Sequence, residues 1–279
     1  MLNAPARDEA PSEIRVEHPG ARWRASPNFG TRYDGKTIDS IVLHYTGMTD
    51  GAGAEDWLCA EESGVSSHYL VHEDGSVVQM VREIDRAWHA GIGCWHGERD
   101  MNSVSVGIEI VNRGHLDWGD GEPDAPLPPF PDMQIEAVVR LCHDVMRRRG
   151  IAASRVLGHS DLAPHRKRDP GEAFPWARLC EEGIGLCVEA EPIAGGPFFG
   201  RGDAGAPVRA YKAMLAFVGF DIEPTPEFCE RTEMTTRAFQ RHWRPERVDG
   251  VADMSTITPL NRLAREVDSE ESVAATPRR

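Results

Sequence analysis

The 279-residue sequence predicts an α/β fold, a central mixed β-sheet flanked by helices, followed by a small three-helix all-α domain. Three observations carry this expectation. Short β-branched runs alternate with helical segments through about residue 180, the pattern of a mixed sheet with helices packed on it. A stretch rich in Gly, Pro and Ala at 187–206 then breaks the alternation as a linker does. Beyond it only helical periodicity is present. The implied division is an extended lead-in over 1–37, a first domain over 38–186, the linker, a helical domain over 207–268 and a disordered polar tail over 269–279.

The elements follow in order. Pro, Arg and Glu crowd the lead-in. The run from Asp39 to Thr46 is apolar and β-branched and reads as a buried strand, with His44 on the face opposite Leu43 and Tyr45. A helix is expected over 54–62. Residues 66–81 read as two short strands around Asp74-Gly75, a good hairpin turn. Residues 103–111 alternate: Val104, Val106, Ile108 and Ile110 share one face, and Ser105, Gly107 and Glu109 the other. The proline-rich, acidic stretch 114–131 reads as a long surface loop. Positions 135, 138, 139, 142, 145 and 146 carry helical spacing over 132–149, with Asp132 as N-cap and Gly150 as the stop. A short strand at 155–158 leads into an irregular loop over 159–171, and a short helix begins near 174. The second domain has helices near 207–219, 231–243 and 254–266.

Composition narrows the function. A hydrophobic content of 40% with 27% charged residues is ordinary for a globular protein. The net charge of -14 argues against gripping nucleic acid through its phosphates. No stretch approaches the roughly 20 apolar residues of a membrane span. The N-terminal residues show no signal-peptide pattern, so a cytoplasmic monomer with free thiols at its six cysteines is expected. The acidic segment 117–124 lacks the spacing of a calcium loop and reads as surface.

The chemistry concentrates in a few titratable residues. His44 ends an apolar strand. His159 follows another, and Asp169 comes ten residues later in a loop stiffened by Pro164 and Pro170. Taken alone, a lone strand histidine reads as a satisfied core imidazole, and the loop as a solvated polar one. The segment 158–179, GHSDLAPHRKRDPGEAFPWARL, changes this reading. So do IVLHYTG (41–47), VSSHYLV (65–71), AWHAGIGCW (87–95), SVGIEI (105–110) and PFPDMQI (129–135), all in order. Together they resemble the zinc N-acetylmuramoyl-L-alanine amidases related to peptidoglycan recognition proteins, in the branch that holds muropeptide-recycling and lipoprotein amidases.

The resemblance covers about 38–180 and implies a zinc hydrolase acting on peptidoglycan or muropeptides. It implies His44, His159 and Asp169 as ligands of Zn2+, a donor set that leaves one position open for water. It implies Glu109 as the catalytic general acid–base and Lys167 as the group that stabilises the oxyanion. His68 matches a position near the substrate, with a structural role as the competing reading. Trp88, His89 and Trp95 are candidate walls of the substrate cleft, against the plainer reading of buried aromatics. Residues 208–220, 235–243 and 248–260 resemble, more loosely, a three-helix peptidoglycan-binding module. That module points to a periplasmic wall, against the cytoplasmic expectation, and a chain ending near Glu189 is expected to fold without it. A recognition protein of this type would lack a zinc ligand, whereas all are present here. A serine or cysteine hydrolase would need a nucleophile motif such as GxSxG, which the sequence lacks.

Overall fold

The structure, a computed structural model, describes residues 16–33, 35–115 and 127–274. Its strands are β1 (Arg22–Trp23), β2 (Phe29–Thr31), β3 (Ser40–Tyr45), β4 (Tyr69–Val71), β5 (Val77–Gln79), β6 (Asp85–Ala87), β7 (Ser105–Ile110), β8 (Val156–Gly158), β9 (Phe198–Phe199) and β10 (Ala252–Asp253). Its helices are α1 (Gly51–Leu58), α2 (Met101–Val104), α3 (Asp132–Arg149), α4 (His159–Leu162), α5 (Trp176–Glu181), α6 (Ala206–Phe217), α7 (Glu230–Trp243) and α8 (Met254–Ala274).

A six-stranded sheet in the order β1-β5-β4-β7-β3-β8 organises the first part of the chain. All neighbours run parallel except β4 and β5, which form the hairpin around Asp74-Gly75. Gly75 holds a positive φ of 80° there, and a Cβ would lie 2.7 Å from the Met133 carbonyl oxygen, so glycine is required twice over. The register sets Leu43 beside Ile108 and His44 beside Glu109. Because side chains alternate, the two strands send Ile41, Leu43, Val106, Ile108 and Ile110 to one face and His44 and Glu109 to the other.

The apolar face is covered by α3. Its buried stripe includes Ile135, Val138, Leu141 and Val145, each worth about 2 kcal/mol when removed from water. Gly150 ends the helix with φ 69°, as expected, while Pro131 rather than Asp132 takes the N-cap position. α1 begins earlier than the spacing suggests. Asp50 caps it by accepting from the Gly53 amide at 2.7 Å, which offsets the glycines of its first turn.

The opposite face carries the site and the helical module. A single apolar cluster joins Val42, Trp95, Leu157 and Leu162 to Tyr211, Leu215, Phe220 and Phe239. The Trp95 and Phe220 rings meet edge to face at 5.1 Å, and the His96 amide donates to the Gly219 carbonyl at 2.9 Å. His242 of α7 stacks on Trp176 at 3.6 Å and on Trp243 at 3.7 Å, and its Nδ1 meets Asp161 at 2.8 Å. The module is therefore fused to the sheet domain through a continuous core.

Several expectations need correction. The lead-in belongs to the sheet domain from residue 16: β1 adds an edge strand, β2 pairs with β6, and Ser26 and Asn28 are buried under α1. Residues 1–15 of it lie outside the described residues. So does the acidic segment 117–124, and so do 275–279 of the tail. The tail's beginning is helical, because α8 continues unbroken past Ser269 through Glu270 to Ala274 with no helix breaker in the way. The linker contributes β9, which pairs with β10. Cys180 and Cys187, Cα atoms 5.5 Å apart, are disulfide-bonded, so not every cysteine is a free thiol.

Candidate metal centre and active site

Three buried residues from three parts of the chain converge on the polar face of the sheet. His44 comes from the end of β3, His159 from the start of α4, and Asp169 from the end of the following loop. The loop closes because the Ser160 amide donates to the Asp169 carbonyl at 2.9 Å. Gly158 makes room: a Cβ there would sit 2.9 Å from Cδ of Pro170. Asp161 Oδ2 accepts from the Gly158 amide at 2.7 Å and anchors the turn.

The ligating atoms are close. His44 Nδ1 lies 2.9 Å from His159 Nδ1 and 2.9 Å from Asp169 Oδ2, and His159 Nδ1 lies 3.0 Å from the same oxygen. The hydrogen bonds on the far sides of the rings fix their tautomers. The Ser105 hydroxyl donates to the Met101 carbonyl at 2.5 Å, so its oxygen accepts from His89 Nε2 at 3.2 Å. That leaves His89 Nδ1 as an acceptor for His44 Nε2 at 3.0 Å. His159 Nε2 donates to the Ala90 carbonyl at 2.9 Å. Both ring protons thus point outward, and the three inward atoms are all acceptors.

Three converging acceptors repel one another unless a cation lies between them, so the donor set fits a metal ion. Burial first, and then the neighbouring His159 imidazole, push the His44 pKa down to about 4, so the ring is neutral at physiological pH as a ligand must be. Burial and the neighbouring His44 hold His89 well below the ordinary histidine range. Asp169 is held far below the usual carboxylate range: burial opposes this, but the His159 and His44 contacts outweigh it.

These residues floor a cleft of about 170 Å³ that Glu109 and Lys167 also line. Glu109 Oε2 is buried with no hydrogen-bond partner. Burial and the Asp169 charge push its carboxyl well above the usual range, with Lys167 pulling the other way. Trp88 and His89 line the same cleft. The structure takes His68 and Trp95 out of it. His68 is fully buried behind His89, accepting from the Gly107 amide and donating to the Asp85 carbonyl, so neither ring nitrogen is available to a substrate. Trp95 is buried against Phe220 because its large apolar face serves the core shared with the module.

Sequence reasoning missed other parts of the site. Met48, Trp57 and Val65 complete the cleft wall. A half-exposed tryptophan on a short helix carries no pattern that marks it. Asn102, whose Oδ1 accepts from the His89 and Ala90 amides at 3.0 and 2.8 Å, holds the segment that orients both histidine ligands. Its role depends on a tertiary contact and has no signal in spacing.

The N-acetylmuramoyl-L-alanine amidase family matches residues 34–172. The amidase AmiD of Escherichia coli is 36% identical over 235 residues, 78% of this chain and 79% of AmiD. The chain belongs to the N-acetylmuramoyl-L-alanine amidase family. This amidase also resembles the 1,6-anhydro-N-acetylmuramyl-L-alanine amidase AmpD of Escherichia coli, at 33% identity over 57% of the chain and 90% of AmpD. A peptidoglycan binding domain family matches the amidase at residues 204–260. Among solved structures, Escherichia coli AmiD in complex with anhydro-N-acetylmuramic acid-L-Ala-D-γ-Glu-L-Lys superposes with a TM-score of 0.70 at 31% identity, covering 84% of this amidase and 92% of that chain. Like these relatives, the amidase carries a central mixed sheet with flanking helices. Among the described residues no helix is long and apolar enough to cross a membrane.

Proposed function

We propose that this amidase hydrolyses the amide between the lactyl group of N-acetylmuramic or 1,6-anhydromuramic acid and the L-alanine of the stem peptide, using zinc at His44, His159 and Asp169. The observation that carries the reading is the unpartnered Glu109 carboxyl beside the converging acceptors. A zinc ion there supplies Lewis acidity toward the scissile carbonyl and makes water a better nucleophile near neutral pH. Glu109 takes the proton of the attacking water at its free Oε2 and returns it to the leaving amine nitrogen. A raised pKa suits the second half of that transfer, delivery of the proton to the leaving amine. Lys167 offers its ammonium to the oxygen that gains charge as the carbonyl carbon becomes tetrahedral. Trp57, Met48 and Trp88 wall the cleft and limit water around the reacting atoms.

Mass spectrometry of a soluble anhydromuropeptide after incubation tests this. Free sugar acid and a peptide with an L-alanine N-terminus are expected, with loss of both products on chelation and recovery on adding zinc. In His159→Ala, metal analysis is expected to find no bound zinc. Cleavage that survives chelation, or cleavage of another bond, overturns the reading.

Two observations support a wall-facing, periplasmic setting over the cytoplasmic one. The Cys180–Cys187 disulfide suits an oxidising compartment, and the 204–260 match suits a polymeric substrate. Digestion of purified sacculi beside soluble muropeptides checks this, since a cytoplasmic recycling enzyme would leave the sacculi intact.

A further inference from the structure

Two consecutive residues of α7 reach from the module into the loop that carries two of the three acceptors. His242 is pressed between Trp176 and Trp243, which leaves its ring no freedom to turn. Held so, its Nδ1 donates to Asp161 Oδ2 at 2.8 Å. Asp161 is fully buried; the same oxygen accepts from the Gly158 amide at 2.7 Å, while Oδ1 has no hydrogen-bond partner. Among the described residues His242 therefore supplies this carboxylate's one side-chain hydrogen bond. The carboxylate in turn fixes the start of α4, where His159 stands, and the Ser160 amide ties that turn to the Asp169 carbonyl.

Arg241, one residue earlier, reaches the other end of the loop. Its Nε lies 3.5 Å from Glu172 Oε2, and His115 Nε2 lies 3.3 Å from the same oxygen. Burial pushes the Glu172 carboxyl up, but His115 and Arg241 outweigh burial and hold it below the usual carboxylate range, so the ion pair is charged. Only Pro170 and Gly171 separate Glu172 from Asp169. Gly171 has a φ of 84°, and a Cβ there would sit 3.2 Å from the His115 ring, so this short tether is closely packed. Leu162 of α4 shares its apolar cluster with Ala238 and Phe239 of α7. The module thus grips the metal loop at both ends.

We propose that the helical module positions the metal centre, with Arg241 and His242 setting the places of Asp169 and His159 through Glu172 and Asp161. The inference rests on the zinc reading above and gives the module a part in holding the metal. A metal site needs its ligand atoms within about 0.5 Å of the productive geometry. A buried carboxylate that loses a donor shifts to regain one, and Asp161 cannot shift without moving the turn that bears His159. Neither Arg241 nor His242 lines the metal cleft, so both are positioning residues that act on the site through the loop.

The test measures the zinc affinity of the full-length protein by competition with a chromophoric chelator. His242→Phe keeps a ring between the two indoles and removes only the donor to Asp161. It is expected to bind zinc about tenfold more weakly, the lower end of what losing the support behind a ligand costs. Arg241→Gln leaves Glu172 its His115 contact and is expected to lose about threefold. With cobalt in place of zinc, both variants are expected to shift the visible ligand-field bands, a change that lost stability alone would not bring. Tyr211→Phe, which removes the 2.8 Å hydrogen bond to Thr236 inside the module, is the control. It is expected to lower the melting temperature and leave zinc affinity and the cobalt spectrum unchanged. Wild-type affinity in both α7 variants overturns the proposal, as does an equal loss in Tyr211→Phe. A wild type that takes up no zinc overturns the metal reading itself and this inference with it.

Discussion

Glu83 and Glu109 are one residue type in two regions of the same domain, and the fold treats them in opposite ways. Glu83, fully buried in the segment after β5, accepts from Arg148 at 2.7 Å on both oxygens, from Arg149 at 2.7 Å and from the Tyr69 hydroxyl at 2.6 Å, both arginines lying at the end of α3. Burial alone would push its carboxyl up, but these donors outweigh burial and hold it below the usual range. Glu109 has an oxygen with no partner and a carboxyl pushed well up by burial and by Asp169. A satisfied buried charge stabilises structure, whereas an unsatisfied one beside a cleft is held ready for a proton. The pair shows that residue type says little about role until partners are counted.

The sharpest way to break this contrast is to neutralise each carboxylate. Glu109→Gln is expected to keep zinc and fold yet lose about 10²–10⁴ in kcat. Steady-state kinetics with parallel metal analysis checks it, and near-normal turnover would reduce Glu109 to a spectator. The metal-free variant should melt no lower than wild type at neutral pH, because the fold already disfavours the charged form. Glu83→Gln should do the reverse. It leaves Arg148 and Arg149 without a counter-charge, and chemical denaturation is expected to show a loss of about 3 kcal/mol with kcat unchanged in the folded fraction.

Acid sharpens the same comparison. Since the Glu83 pKa is lowered on folding, its contribution is present above the ordinary glutamate range and is lost as pH falls through the lowered folded value. Melting temperature followed from pH 6 downward should therefore fall in wild type and fall less in Glu83→Gln. The smallest expected effect concerns Gly107. A Cβ there would lie 2.4 Å from Cγ of His89, so Gly107→Ala must shift the ring that orients His44. A drop in kcat on the order of tenfold is expected, with little loss of stability. A fully active variant would show that His89 does not hold the ligand.

Much of the site was legible because strand alternation is a strict rule. Alternation in 103–111 put Glu109 opposite the apolar stripe, and the same logic isolated His44 from Leu43 and Tyr45. Their adjacency was not legible, because the pairing of β3 with β7 depends on strand order, which a single chain of residues does not encode locally. The closure of 159–169 and the outward relay through His89 and Ser105 are tertiary as well. Trp95 proved to be core, because a buried aromatic ring and a cleft-lining one have the same composition, and His68 took the structural one of its two readings. The core that the helical module shares with the sheet domain was hidden for a related reason. The module's apolar stripes read as self-contained, whereas Phe220 and His242 turn toward Trp95, Trp176 and Asp161. A chain ending near Glu189 would expose Trp95 and Leu162, a loss of about 2 kcal/mol for each. It is expected to melt well below the full chain in calorimetry.

The stack of Trp176, His242 and Trp243 gives the molecule an optical gauge of its own. One indole belongs to the sheet domain and the other to the module, with an imidazole pressed between them. Indole emission responds to a ring in van der Waals contact and to water, so any parting of the two units would change the brightness and colour of intrinsic fluorescence. Titrating the enzyme with glycan polymer while watching that emission would report whether the module stays seated in the presence of the polymer or lifts away from the sheet domain.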